Sequence, residues 1–157
     1  MRKSTRLAAL GAGLALPVAA VAVIFALRGE AAADPIQATL YKNPQCACCE
    51  GHADHLRANG FAVEVIESHD LAMISRDAGV PEAFQGCHTT VIDGYVVDGH
   101  VPADIVLQML AERPAIAGIT LPGMPTGSPG MGGPKTGPFT VYSVTDADQE
   151  PVVYAVE

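Results

Sequence analysis

The chain has 157 residues, four cysteines and a formal net charge of −8 at pH 7. This acidic balance argues against nucleic acid and anionic membrane surfaces as partners, and it favours the attraction of small cations. The length is enough for one domain with a single hydrophobic core, so the fold does not require disulfides.

The N-terminus has the pattern of an export signal. Basic residues in MRKSTR precede an uncharged apolar run over residues 7–27, and small side chains at Ala31 and Ala33 offer a cleavage site before Asp34. The apolar run is also long enough to span a bilayer, so an uncleaved N-terminal anchor is the alternative. Both interpretations of residues 1–33 place the rest of the chain outside the cytoplasm.

Hydrophobic periodicity after the signal predicts the order β-α-β-α-β-β-α. Predicted strands cover residues 36–41, 61–67, 89–92 and 95–97. Predicted helices run from the cysteine-rich turn to about residue 59, over 68–79 and over 102–113. Asp93-Gly94 is a strong signal for a two-residue hairpin between the third and fourth strands.

This order predicts an α/β fold of the thioredoxin-like class with a mixed sheet, over residues 34–118. The first β-α-β must be a right-handed parallel unit, which places residues 46–49 at a helix N-terminus beside the carboxyl end of the first strand. Residues 119–138 are rich in Gly, Pro and Met, and they predict a loop that is functional or disordered. Residues 139–157 predict a C-terminal hairpin at the sheet edge.

Cys46, Cys48 and Cys49 lie within four positions at the predicted helix start. The helix N-terminus stabilises thiolate, which makes these residues nucleophiles or metal ligands. Two structural disulfides are an alternative in an exported protein, but a bond between neighbouring cysteines would be strained. Thiol-disulfide exchange through Cys46-x-x-Cys49 needs only two thiols. The third cysteine therefore favours binding of a soft cation such as Cu(I). A zinc site would normally have two separated ligand pairs, which are absent here.

Further candidate ligands lie outside this motif. Cys87 and His88 precede the third strand, where the fold places a loop facing the cysteine helix. Met124 and Met131 lie in the predicted loop, where their thioethers would be soft donors for Cu(I). Met73 and Met109 lie on apolar helix faces and are expected in the core.

The remaining histidines are expected to have lesser roles. Cys48, His52 and His55 share one helix face, which would permit ligation by His52, but a solvated surface histidine is the favoured interpretation for His52 and His55. His69 is predicted at the surface, and the sequence does not decide the role of His100.

The stretches YKNPQCACC, HLRANGF, CHTTVIDGYVVDGHVP and LPGMPTGSPGM together resemble domain-of-unknown-function family 411, which includes the CopG-type periplasmic copper-resistance proteins. The resemblance runs from about residue 40 to residue 131. It implies a thioredoxin-like fold, a periplasmic location, and copper bound by Cys46, Cys48, Cys49 and Cys87. His52 departs from the family pattern, because relatives commonly carry tryptophan there, and His55 fits the pattern better.

We therefore predict a bacterial periplasmic copper-binding protein of copper homeostasis or resistance. Its predicted ligands for more than one Cu(I) ion are Cys46, Cys48, Cys49, Cys87, His88, Met124 and Met131. A copper redox activity is left open, and no catalytic residue is assigned. Copper efflux or oxidase proteins are the expected protein partners, with no nucleic acid, and with a membrane only if the N-terminal segment is uncleaved.

Two alternatives stay open at this point. A thiol-disulfide oxidoreductase predicts a reducible Cys46–Cys49 bond, whereas a copper cluster predicts four free thiols. A zinc-stabilised or disulfide-stabilised interaction module predicts loss of stability, without redox activity, when the metal or the disulfides are removed.

Overall fold

The computed structural model describes residues 34–146 and 148–157. The predicted signal peptide or anchor over residues 1–33 lies outside the described residues. Among the helices of the described part, none is both long enough and apolar enough to cross a membrane.

The described chain folds into seven strands, three α-helices and one 3₁₀ turn. In chain order these are β1 (Ile36–Lys42), α1 (Ala47–Ala58), β2 (Phe61–Glu67), α2 (Leu71–Asp77), the 3₁₀ turn (Glu82–Phe84), β3 (His88–Ile92), β4 (Tyr95–Gly99), α3 (Ala103–Glu112), β5 (Gly118–Leu121), β6 (Thr140–Val144) and β7 (Val152–Val156).

All seven strands form one sheet in the order β2-β1-β3-β4-β5-β6-β7. The pairs β1–β2 and β4–β5 are parallel and the other four are antiparallel. The predicted mixed α/β fold, its element order and the C-terminal hairpin are therefore confirmed. The thioredoxin-like assignment stays a prediction, with which this strand order agrees.

Strand β5 is the element that the sequence did not predict. It occupies the end of the predicted domain and the start of the predicted loop, and it pairs with β4 on one side and β6 on the other. A Cβ atom on Gly118 would lie 2.8 Å from the Val96 nitrogen and closer still to the Val96 carbonyl oxygen. Only glycine allows the two backbones to approach so closely, because any side chain there would collide with β4.

The main core lies where α1 and α3 cover one face of the sheet. Leu56 of α1 and Met109 of α3 are buried there with Ile92, Val97 and Ile119 of the central strands. Burial of these side chains fixes how α1 sits on the sheet, and so fixes the cysteines at its start.

A smaller cluster, with Val80, Val96 and Val144 buried, covers other parts of the sheet. Helix α2 buries only Leu71 and Ser75, and Met73 is 53% exposed. The prediction that Met109 is core is confirmed, and the same prediction for Met73 is wrong, because α2 is too short to bury a wide face.

Candidate metal centre

The cysteine motif is held by the turn between β1 and α1. Cys46 occupies the N-cap position in an extended conformation, and its N–H donates to the Asn43 carbonyl over 3.0 Å. Lys42, which is 2% exposed, extends its Nζ to the Asn43 and Pro44 carbonyls at 3.4 and 3.3 Å. The same Nζ pairs with Glu50 at 3.1 Å and so connects the turn to the first turn of α1. The turn that presents Cys46 is therefore held from both sides.

Cys87 is positioned by a buried carboxylate. Asp98 of β4 is fully buried and accepts hydrogen bonds from the Gly86 N–H and from the Thr89 hydroxyl, the latter over 2.7 Å. Burial raises the pKa of Asp98 to about 6. A Cβ on Gly86 would lie 2.5 Å from the Gly99 Cα, so the absent side chain lets the segment before β3 lie against the end of β4.

The four cysteine sulfur atoms lie within 4.8 Å of one another. The Sγ of Cys48 is 3.5 Å from that of Cys46 and 3.8 Å from that of Cys87, and the Cys49 and Cys87 sulfurs are 3.5 Å apart. The structure therefore brings together the four cysteines that the sequence singled out.

Cys46 and Cys49 are joined in a disulfide, with Cα atoms 5.4 Å apart, and Cys48 and Cys87 are free. The four free thiols expected for a copper cluster are thus not the form seen here, and the bond expected for the oxidoreductase alternative is present. Burial, and secondarily the neighbouring Cys48, raise the pKa of the Cys87 thiol to about 12. Cys87 therefore keeps its proton at neutral pH until a cation displaces it.

Two buried histidines contact Cys87, and a third lies behind them. His52, His88 and His100 are each fully buried. The Cys87 Sγ lies 3.5 Å from His88 Nδ1 and 3.1 Å from His100 Nε2, and His88 Nε2 lies 2.8 Å from His52 Nδ1. The prediction of a solvated His52 is wrong, because its ring packs against the rings of His88 and His100 at the ends of β3 and β4.

Backbone carbonyls at the ends of this network assign the histidine tautomers. Burial lowers the pKa of His52 to about 4, and it lowers the pKa of His88 and of His100 as well, so the rings are neutral at pH 7. A carbonyl can only accept, so His52 Nε2–H donates to Val101 over 2.9 Å and His100 Nδ1–H donates to Pro129 over 2.6 Å.

The tautomer of His88, the middle ring of the three, follows from these assignments. His52 Nδ1 must then accept from His88 Nε2–H, because a neutral imidazole carries one N–H. His88 Nδ1 and His100 Nε2 therefore both present lone pairs to the Cys87 sulfur.

The other two histidines have simpler surroundings. His55 is partly buried and its Nε2 accepts the Ala103 N–H at the start of α3, over 3.1 Å. Burial lowers the pKa of His55. His69 is exposed, as predicted. His55 therefore caps a helix and is not a solvated surface side chain.

The glycine-rich loop lies on the start of α1. A Cβ on Gly130 would be 2.7 Å from the Cys48 carbonyl oxygen and closer still to the His52 nitrogen, so the loop backbone touches the helix backbone. Met131 follows this contact directly, and its N–H donates to Ser128 over 2.8 Å. Met124 lies further back in the loop and is 45% exposed. Ligand roles for Met124 and Met131 stay predictions.

Two groups of the described residues could hold a metal ion. One is the cysteine set Cys46, Cys48, Cys49 and Cys87, and the other is Cys87 with His88 and His100. His100 was not predicted as a ligand from the sequence. The signal was present, because a two-residue turn at Asp93-Gly94 pairs Ile92 with Tyr95, and the same register continues outward to bring Cys87 opposite His100.

Comparisons with known proteins identify relatives of this chain. A family model described as a protein of unknown function, DUF411, matches residues 84–131. Two solved structures described as copper resistance protein CopG, Form 2 and Form 1, are 38% and 37% identical to the chain. Each match covers 78% of this chain and 98% of that chain, with a TM-score of 0.71. A comparison with curated proteins found no match.

Proposed function

The chain belongs to the DUF411 family, which it shares with the copper resistance protein CopG, and on this basis we propose that it is an exported protein of copper resistance that binds Cu(I). Its cargo would be held by Cys46, Cys48, Cys49 and Cys87. The periplasm is the compartment that the export pattern of residues 1–33 and the family support together.

The observation that carries this proposal is the clustering of four sulfur atoms within 4.8 Å. Thiolates are soft ligands, and Cu(I) is the soft cation that they select. Neighbouring side chains at Cys48 and Cys49 diverge from the helix, so their sulfurs suit bridging between ions better than chelation of one. We therefore expect more than one Cu(I) per chain.

Binding by all four sulfurs requires the dithiol form. The Cys46–Cys49 bond must first accept two electrons and two protons, which an external dithiol reductant can supply while it becomes a disulfide itself. Each thiol that binds then releases its proton. Because Cys87 is buried and protonated at neutral pH, Cu(I) uptake should become tighter as the pH rises.

Further donors are available around the sulfur set. His88 Nδ1 lies 3.5 Å from Cys87 Sγ, and the loop contact at Gly130 brings the neighbouring Met131 to the same end of α1. We assign His88, Met131 and Met124 as the further ligands, with the two thioethers acting as weak donors that slow copper loss.

A second candidate function is thiol-disulfide exchange. The Cys46–Cys49 bond at a helix N-terminus favours it, because such bonds are typical of dithiol oxidoreductases. In that case Cys48 would have no role in turnover.

Anaerobic Cu(I) titration of the reduced chain against a competing chelator tests the proposal. We expect more than one Cu(I) per chain, and the same chain with Cys46–Cys49 bonded is the matched control that should hold less. A value of one or below would contradict the cluster. Equal loading of both forms would contradict the use of Cys46 and Cys49, and no retained copper would contradict the function.

A further inference from the structure

Strand β7 forms an open edge of the sheet. It is the last strand in the order, and among the described residues it pairs only with β6. Glu157 exchanges both of its backbone hydrogen bonds with Phe139, over 3.0 and 2.8 Å. Because the backbone groups of an antiparallel strand alternate in direction, the N–H and C=O of Val156 point away from β6. The outer edge of β7 therefore presents backbone donors and acceptors that no described strand uses.

The side chains of this edge are apolar and exposed. Val152, Val153 and Val156 are 66%, 57% and 62% exposed. The opposite edge of the sheet differs, because β2 carries exposed carboxylates at Glu64 and Glu67. Charged side chains on an edge strand discourage pairing with another chain, whereas an apolar edge permits it. Of the two edges, β7 is therefore the one suited to receive a further strand.

Contacts with the rest of the fold hold β7 in place. The Tyr154 hydroxyl donates to Glu112 of α3 over 2.8 Å, and Lys135 Nζ pairs with Glu157 at 3.2 Å. Tyr154 and Ala155 also pack against the main core. The ladder is irregular at Tyr154, and residues 155–157 beyond it pair regularly with β6. A strand that is already fixed loses little conformational entropy when a partner pairs with it, which favours binding.

The charge around β7 selects the kind of partner. Residues 140–157 contain no lysine or arginine, and their carboxylate side chains are those of Asp146, Asp148, Glu150 and Glu157. The first three lie in the turn that precedes β7. A second copy would bring two such acidic hairpins together, and repulsion between like charges opposes that pairing. A segment that carries basic residues would instead be attracted by the same charges.

We propose that the outer edge of β7 is a docking site for an extended apolar segment of another protein, which adds as an antiparallel strand with lysine or arginine beside the β6–β7 turn. Antiparallel pairing continues the arrangement of β5, β6 and β7, and it is the more stable pairing per residue. Because β7 starts at that turn, the basic residues of the partner follow its apolar stretch. Backbone hydrogen bonds would supply affinity, and the charges would fix the direction of the added strand. The proposal goes beyond the proposed function, since no residue of the metal centre takes part in it.

Fluorescence anisotropy with labelled synthetic peptides tests this docking site. The peptide Val-Thr-Val-Thr-Val-Lys-Lys should bind the full chain. The matched peptide that ends in Glu-Glu has the same strand-forming stretch, and we expect it to bind about tenfold more weakly or worse, because its carboxylates would face those of the turn. No binding of the lysine peptide, or equal binding of the two peptides, would overturn the proposal.

A substitution in β7 separates edge pairing from attraction by charge alone. Val156→Pro removes an N–H that faces away from β6, so it keeps the ladder inside the protein and should weaken binding of the lysine peptide about tenfold or more. Val156→Ala keeps the N–H and is the matched control, with an affinity close to that of the unmodified chain. Equal affinities of the two variants would overturn the proposal.

Amide exchange in the unmodified chain keeps the proposal testable if Val156→Pro does not fold. The lysine peptide should slow exchange at the Val156 N–H and leave exchange in β2 unchanged. Unchanged exchange at Val156 with the peptide bound would overturn the site. Sedimentation equilibrium completes the test, because we expect a monomer; a dimer that Val156→Pro dissociates would identify a second copy as the occupant and overturn the proposed partner.

Discussion

Gly130→Ala should detach the glycine-rich loop from the start of α1. Gly130 has φ +82°, and a left-handed conformation costs an L-residue about 1–2 kcal/mol. Its Cβ would also meet helix backbone at Cys48 and His52, which cannot rotate away as a side chain can. Withdrawal of the loop to relieve that contact would break the hydrogen bond from His100 to Pro129, at a further cost of about 0.5–1.5 kcal/mol.

Together these costs give a loss of about 1.5–3.5 kcal/mol in the free energy of unfolding. Urea unfolding of the disulfide form measures it, and amide exchange over residues 124–131 reports local release of the loop. Gly132→Ala is the matched control, because a Cβ there meets nothing within 4 Å, and its change should stay within about 0.5 kcal/mol. Equal stability and equal exchange in the two variants would refute the docking of the loop.

Copper retention, copper loading and pH-dependent stability should each respond to a different substitution. Met124→Ala with Met131→Ala should speed Cu(I) loss to a chelator and leave the stoichiometry unchanged; an unchanged rate would make the loop a linker to the C-terminal hairpin. Cys48→Ser should lower Cu(I) loading clearly, and unchanged loading would favour the dithiol oxidoreductase. The folded chain holds the Asp98 proton more tightly than the unfolded chain, with a pKa of about 6 against 3.8, so this group's contribution to stability falls as the pH rises through 6. The loss should be about 2 kcal/mol between pH 4 and pH 7, and it should be absent from Asp98→Asn; parallel stability curves for the two proteins would contradict it.

Local signals in the sequence were enough to predict the helix and the turns that position the site. Asp93-Gly94 adopts positive φ at both residues, as a two-residue hairpin requires, and Gly60 ends α1 with φ +93°. The cysteines lie at the start of α1 because the first β-α-β can close in only one way. These features depend on residues close together in the chain, so sequence patterns could identify them.

Features that depend on distant parts of the chain could not be predicted in this way. His52 was expected in solvent. Its ring is buried instead against residues that come 36 to 49 positions later in the chain, namely His88, His100 and Val101. Strand β5 has four residues, too few for a clear alternation, and it is held by strands on both sides. The disulfide between Cys46 and Cys49 was one of several pairings that the spacing allowed.

The bond between Cys46 and Cys49 makes cation binding and thiol oxidation compete for the same atoms. A sulfur in a disulfide has no negative charge to offer a cation, and a thiolate whose charge a bound cation neutralises is less readily oxidised. By thermodynamic reciprocity, any cation that prefers the reduced cluster must protect it against oxidants, to the same extent that oxidation weakens its binding. The fraction of chains that carry this bond would then report the ratio of free soft cation to oxidant around the protein.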